Sequence, residues 1–184
     1  MQLARNEPSS DIEYSNAQFG DVETPHFNSW MMRDEEVSVL ELMEVHVINA
    51  LAPFVLTSRL KPLLSKSEGS FVVNVSSSEG RFASSRKTWR HPHTNMAKAS
   101  MNMMTRTVAE EYARHKIYVN SVDPGWISFQ HPTVQIEAMQ ARGIMPPFDG
   151  EDAAARVCDP IFMALNGIAP ACGELFKDYE AVTW

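Results

Sequence analysis

Between Ser70 and Gly125 the sequence reads as a strand, a long helix and a second strand, and that order limits the fold more than any other feature. The run SFVVNV, Ser70 to Val75, is short, β-branched and preceded by Gly69, which predicts a strand buried in a parallel sheet. Ala97, Met101, Met104, Val108 and Tyr112 then recur at spacings of four and three, placing them on one face of an amphipathic helix. The second strand, IYVNSVDPG, stops at Pro124 and Gly125. Strands separated by a helix cannot be joined by a tight turn; they lie parallel, linked by a right-handed crossover.

The flanks extend this pattern. Ser38 and Glu41 form an S-x-x-E capping box that opens an earlier helix, along which Leu40, Met43, Val47, Leu51 and Phe54 recur. Pro53 is expected to kink this helix, and Pro62 to make its end ragged. A third helix is expected over about residues 151 to 165, followed by a short apolar strand, GELF. Helices alternating with strands predict an α/β fold with a parallel sheet. Residues 1 to 36 are rich in Asn, Ser, Asp, Glu and Pro without periodicity and read as a polar, partly disordered segment, with Phe19, Phe27 and Trp30 as anchors; residues 37–184 form the domain.

Composition narrows the setting. With 44% hydrophobic and 21% charged residues, 184 residues suit one soluble domain. A formal net charge of −7 argues against a general grip on nucleic acid phosphates or anionic membrane. Cys158 and Cys172 lack metal-type spacing and suggest a reducing compartment, and His91, His93, His131 and Cys158 match no zinc signature, so no metal is expected. No apolar run approaches the ~20 residues of a membrane span, and the first residues lack the apolar stretch of a secretory signal. The expectation is a cytoplasmic protein with no nucleic acid or membrane partner.

Four segments, in order, carry a resemblance: Asn49 in INALAPFVL, Ser77 in VVNVSSSEG, Lys98 in HPHTNMAKASMNMMTRTVAEEYA, and Pro124-Gly125 in VNSVDPGW. Together they resemble the C-terminal two thirds of a short-chain dehydrogenase/reductase. The resemblance implies a Rossmann-like doubly wound parallel sheet, of which this chain supplies the C-terminal part. It implies hydride transfer between NAD or NADP and a small-molecule carbonyl or alcohol. Position by position, it makes Ser77 the group that orients substrate, with Ser76 and Ser78 as close alternatives. Lys98 becomes the residue that binds the nicotinamide ribose, Asn49 the helix-borne member of a proton relay, and Pro124 and Gly125 the turn facing the nicotinamide. Taken singly, Ser77 reads as a strand-end turn serine, Asn49 as a polar residue satisfied within its helix, and Pro124-Gly125 as a simple turn.

Two departures qualify what the resemblance implies. The family's Tyr, four residues before the Lys, is Thr94 here, as in a divergent subgroup that shares HPHTNMAKA. A nearby cation tunes a phenol toward neutrality, whereas an aliphatic hydroxyl is not a practical proton donor. His91 and His93 flank Thr94, either as a substitute acid or as part of a proline-stiffened loop. Further, no G-x-x-x-G-x-G or N-A-G segment precedes the helix carrying Asn49, so a pyrophosphate site is missing, and Phe129 stands where a Thr often contacts the cofactor. The resemblance covers about residues 35 to 184. The lone chain is therefore expected to bind a dinucleotide poorly and to be inactive, as a truncated oxidoreductase or, alternatively, as a non-catalytic Rossmann-like binding or scaffold module. Arg81, Arg86, Lys87 and Arg90 form a basic loop, either solvated or attracting an anionic substrate. Homodimerisation through the two long helices is expected, with Met101, Met103 and Met104 as adaptable surface. The strand SFVVNV is expected to leave one edge exposed or to need a partner.

Overall fold

The computed structural model describes residues 28–85 and 87–184; Phe19, Phe27, Arg86 and most of the polar N-terminal segment lie outside them. Residues 28–36, expected as loop, form two short 3-10 turns, Ser29–Met31 and Asp34–Glu36. They are tied to the domain by the Asn28 amide on Gln130 O at 3.0 Å and the His91 N–H on Met32 O at 2.7 Å.

Helix α1 spans Val39–His46, and the Ser38 hydroxyl caps it by accepting the Glu41 N–H at 3.0 Å. The reciprocal half of the expected capping box does not form. The Glu41 carboxylate instead accepts the Ser29 hydroxyl beside the buried His93, where a polar group left without a partner would cost more than an exposed helix-end N–H. A π-turn, Val47–Leu51, joins α1 to α2, Ala52–Leu64. This is the form the expected kink takes: Pro53 has no N–H to offer the Asn49 carbonyl, and the wider turn just before it absorbs the missing bond.

Strand β1, Ser70–Val75, pairs in parallel with β2, Ile117–Asp123, from Ser70 opposite Ile117 to Val75 opposite Val122. Helix α3, Pro92–Ala113, makes the crossover. A short helix, α4, Thr133–Gln140, lay below what periodicity could detect. Helix α5, Gly150–Leu165, follows, capped by Asp149, and leads to β3, Leu175–Lys177, parallel to β2. The sheet was expected to be parallel throughout, but β4, Glu180–Val182, returns antiparallel to β3. Its two-residue turn, Asp178 and Tyr179, has φ of 50° and 68°, as a hairpin matching strand twist requires, and without glycine the sequence concealed it.

Strand order is β1-β2-β3-β4, so among the described residues β1 is an edge, the side that the resemblance implied would be open. Ser70 N–H reaches Lys116 O and Ser76 N–H reaches Val122 O, which turns the backbone groups of Phe71, Val73 and Val75 to the open side. The core lies between α3 and the strands, where Tyr112, Ile117 and Val119 pack with Leu64, Val72 and Val108. A buried polar knot joins the same layers: the Asn74 amide and the Ser121 hydroxyl each donate to Thr105 Oγ1 at 2.9 Å, and Thr105 donates to Met101 O.

One helix escaped the sequence reading, which turned on an uninterrupted apolar run of membrane-span length. The continuous helix Val39–Leu64 is long and apolar enough, by length and composition, to cross a membrane, and only 6% of its most apolar window is buried. His46, Asn49 and Thr57 interrupt its apolar runs, which hid its average character in the sequence. In this fold it lies on α3 through Lys61 on Glu111 (3.2 Å) and Tyr112 OH on Thr57 O (3.4 Å), leaving Leu40, Leu56 and Leu63 exposed.

Candidate active site

Where β1 ends, Ser77 Oγ accepts the Glu79 N–H at 3.2 Å and caps the 3-10 turn Ser78–Gly80. Gly80 lets this turn lie directly on α3. A Cβ there would come within 2.9 Å of Lys98 C, Lys98 Cβ and Asn102 Nδ2. That close approach sets the serine loop beside Lys98, whose Nζ donates to Val75 O at 2.9 Å, and burial pushes the Lys98 ammonium below its usual range. Asn49 sits in the π-turn of the opposite wall, its amide donating to Val45 O at 3.0 Å, the within-helix satisfaction open to any helical Asn.

Asn49, Ser77, Thr94 and Lys98 line one cavity of about 270 Å³, together with Trp30 and Gln130. A second cavity, about 460 Å³, shares Trp30, Ser77 and Lys98 and extends to Asp123, Gly125, Trp126 and Lys177. The three serines separate by geometry. Ser76 is 3% exposed, and Ser78 donates to Asp123 Oδ2 at 2.8 Å, whereas Ser77 borders both cavities.

Thr94 is held from behind. Its hydroxyl donates to His91 O at 2.8 Å and lies 2.8 Å from His91 Nδ1, which therefore carries the proton between them. His91 is 4% exposed, adopts a left-handed φ of 39°, and stacks on Trp30 at 3.9 Å between ring centroids. Burial, more than the opposing pull of Glu79, lowers its pKa and keeps it neutral near pH 7. His93 is committed elsewhere, to Ser29 Oγ at 2.9 Å, and burial lowers its pKa as well. Neither ring presents an acid to the cavity beside Thr94.

Pro124 and Gly125 form the turn after β2. Gly125 has φ of 88°, a Cβ there would meet Phe148 at 2.8 Å, and its N–H donates to Asp123 Oδ1 at 2.9 Å. Asp123 is 2% exposed and also receives Lys177 Nζ at 2.7 Å. Burial works to raise its pKa, but Lys177, the Gly125 N–H and the Ser78 hydroxyl outweigh it and hold the carboxylate below its ordinary value. Phe129 meets the edge of Trp126 at 5.7 Å. The basic loop is engaged by the protein itself. Lys87 donates to Ser78 O and Glu79 O and pairs with the Glu79 carboxylate, and Arg81 donates to Thr183 O.

Two contributors escaped the sequence reading. Lys177 meets Asp123 only because β3 pairs with β2 in that register, a relation no local motif carries. Trp30 was legible as an anchor but not as a wall of the site. Among the described residues, no three His, Cys, Asp or Glu side chains gather as a metal site.

Residues 26–144 match the family model described as enoyl-(acyl carrier protein) reductase. An uncharacterised protein of Acanthamoeba polyphaga mimivirus is 33% identical over 141 residues, 73% of this chain and 30% of its own length. An uncharacterised oxidoreductase of Thermotoga maritima is 31% identical over 108 residues, 59% of this chain and 39% of its own. Among solved structures, the NADPH-bound carbonyl reductase from chicken fatty liver superposes with a TM-score of 0.60 at 18% identity, covering 88% of this chain and 62% of that one. The carbonyl reductase Sniffer of D. melanogaster gives 0.62 at 17% identity, covering 83% and 61%. These structural likenesses speak for the Rossmann-like fold. The chain spans 30% and 39% of the length of these two sequence relatives and about three fifths of these two solved chains.

Proposed function

We infer from the chain's family, the short-chain dehydrogenase/reductases, to which it belongs by its match over residues 26–144, that it carries the substrate and nicotinamide-ribose side of an NAD(P)-dependent oxidoreductase. The reaction is hydride transfer between the nicotinamide and a carbonyl or alcohol. The observation that carries this reading is the convergence of Asn49, Ser77, Thr94 and Lys98, from three separate elements, on one cavity.

The residues fit one end of the cofactor. Gly125 exposes backbone beside Ser77 and Lys98, and Lys98 donates to Val75 O, an acceptor that ribose hydroxyls can replace. The bound cofactor would supply or accept the hydride. Ser77 accepts one N–H and keeps its own proton for a substrate oxygen. These contacts all lie at the nicotinamide end, so residues 1–184 tested alone should hold a dinucleotide by that end and weakly.

Proton transfer is the missing step. The Thr94 hydroxyl is committed to His91 O and has no phenol's acidity, so neither Thr94 nor the histidines flanking it supply the acid that the family's Tyr position would provide. That observation favours the binding-module reading where turnover is concerned, while both readings place ligand in the same cavity. The protein acts in the cytoplasm, and the exposed apolar surface of α1–α2 and α3, including Leu40, Leu56 and Met103, serves as a homodimer face. Calorimetric titration with NADH and NADPH tests the reading. Wild type should bind weakly and Lys98→Met not measurably; equal binding by both would overturn it.

A further inference from the structure

We propose that the cavity beside Ser77 takes a neutral, flat aromatic carbonyl compound or the corresponding alcohol, seated against the indoles of Trp30 and Trp126; this rests on the oxidoreductase reading only in placing the ligand oxygen at Ser77. Both indoles line the cavity of about 460 Å³. An apolar cavity of about 150 Å³ suffices for benzene, so this space holds a substituted aromatic ring and still leaves room for a nicotinamide.

The two indoles are fixed before any ligand arrives. One face of Trp30 is taken by His91, nearly coplanar at 13°, which leaves its remaining surface to the cavity. Trp126 donates Nε1–H to Ser128 O at 2.8 Å and meets Phe129 edge-on at 82°. Rigid aromatic surface binds a planar apolar ligand with little ordering cost.

The charges bordering the cavity cancel. Asp123 is paired with Lys177 at 2.7 Å and Glu79 with Lys87 at 3.5 Å. Burial, aided by Arg90, lowers the pKa of His131, so it adds no positive charge near pH 7. Lys98 has no anionic partner among the described residues and donates to Val75 O, so the four charged side chains lining the cavity, Lys98, Lys177, Glu79 and Asp123, sum to zero. An anionic ligand would meet two lysines and two carboxylates, with no net positive charge to hold it, and losing its hydration there would not be repaid. This decides against the anionic substrate that the basic loop suggested, since Lys87 spends its charge on Glu79 and the serine turn.

The test uses the chain without cofactor. Acetophenone, 1-phenylethanol and benzoate are titrated against wild type, Trp30→Leu and Trp126→Leu, read by indole fluorescence quenching and saturation-transfer NMR. Acetophenone and 1-phenylethanol should bind in the millimolar range, benzoate at least about five-fold more weakly, and each Trp variant should lose about five-fold for acetophenone. No binding of acetophenone, benzoate binding equal to or tighter than acetophenone, or unchanged acetophenone affinity in Trp126→Leu would overturn the proposal. Trp126→Leu decides the matter even if Trp30→Leu fails to fold. Because no dinucleotide is present, failure here is distinct from failure of the nicotinamide titration.

Discussion

Replacing Gly80 by alanine should strike the point where the serine loop meets the lysine-bearing helix. The added methyl would lie 2.9 Å from Lys98 C and Cβ, against an ordinary carbon–carbon separation of about 3.5–4.0 Å. The obstacle is largely helix backbone, which cannot rotate aside. Overpacking of this kind costs about 1–3 kcal/mol, and separating the two elements also strains the Asn102 amide bond to Gly80 O, now 3.1 Å. With a urea dependence of about 2 kcal/mol per molar, the unfolding midpoint should fall by about 0.5–1.5 M. Equilibrium urea unfolding followed by far-UV circular dichroism measures it. The double change Gly80→Ala with Asn102→Ala should remain destabilised, because the Lys98 backbone is still in place. A shift below about 0.2 M in the single variant, or recovery in the double one, would refute the view that close contact with α3 sets the serine loop.

Other consequences follow from the buried polar groups. Thr105→Val removes the shared acceptor of Asn74 and Ser121 and should cost about 2–3 kcal/mol by thermal or urea unfolding, whereas Thr105→Ser should lose less than about 1 kcal/mol; equal losses would contradict the polar knot. His91, His93 and His131 all have depressed folded pKa values, so the unfolded chain binds more protons just below its ordinary histidine pKa of about 6.5. Stability should therefore fall as pH drops from neutrality through that window. Asp123, also depressed, adds a second loss as pH falls below the ordinary carboxylate value and through its folded value. A melting temperature unchanged between pH 7.5 and 5.5 would count against the buried neutral imidazoles.

The parts of the fold most legible in sequence were those with long or repeated patterns. SFVVNV gives the observed bounds of β1, and α3 follows the Ala97–Tyr112 periodicity. The order of Asn49, Ser77 and Lys98 brought them to one cavity as the family resemblance implied. What stayed hidden depended on partners distant in sequence. Glu41 could not be read as leaving its capping box until Ser29 and His93 were beside it. Pro53 announced a disturbance but not that a π-turn would resolve it. The β4 hairpin turned on Tyr179 rather than glycine, and the Asp123–Lys177 pair needed strand register.

The central claim is that this chain keeps the nicotinamide side of a dinucleotide site. Saturation-transfer NMR with NADH and NADPH tests it most directly, because ligand protons report separately which end touches protein. Transfer should be strongest to the nicotinamide and its ribose, weak to the adenine, and lost in Lys98→Met. Adenine-dominated transfer, or nicotinamide transfer that survives in Lys98→Met, would contradict the account.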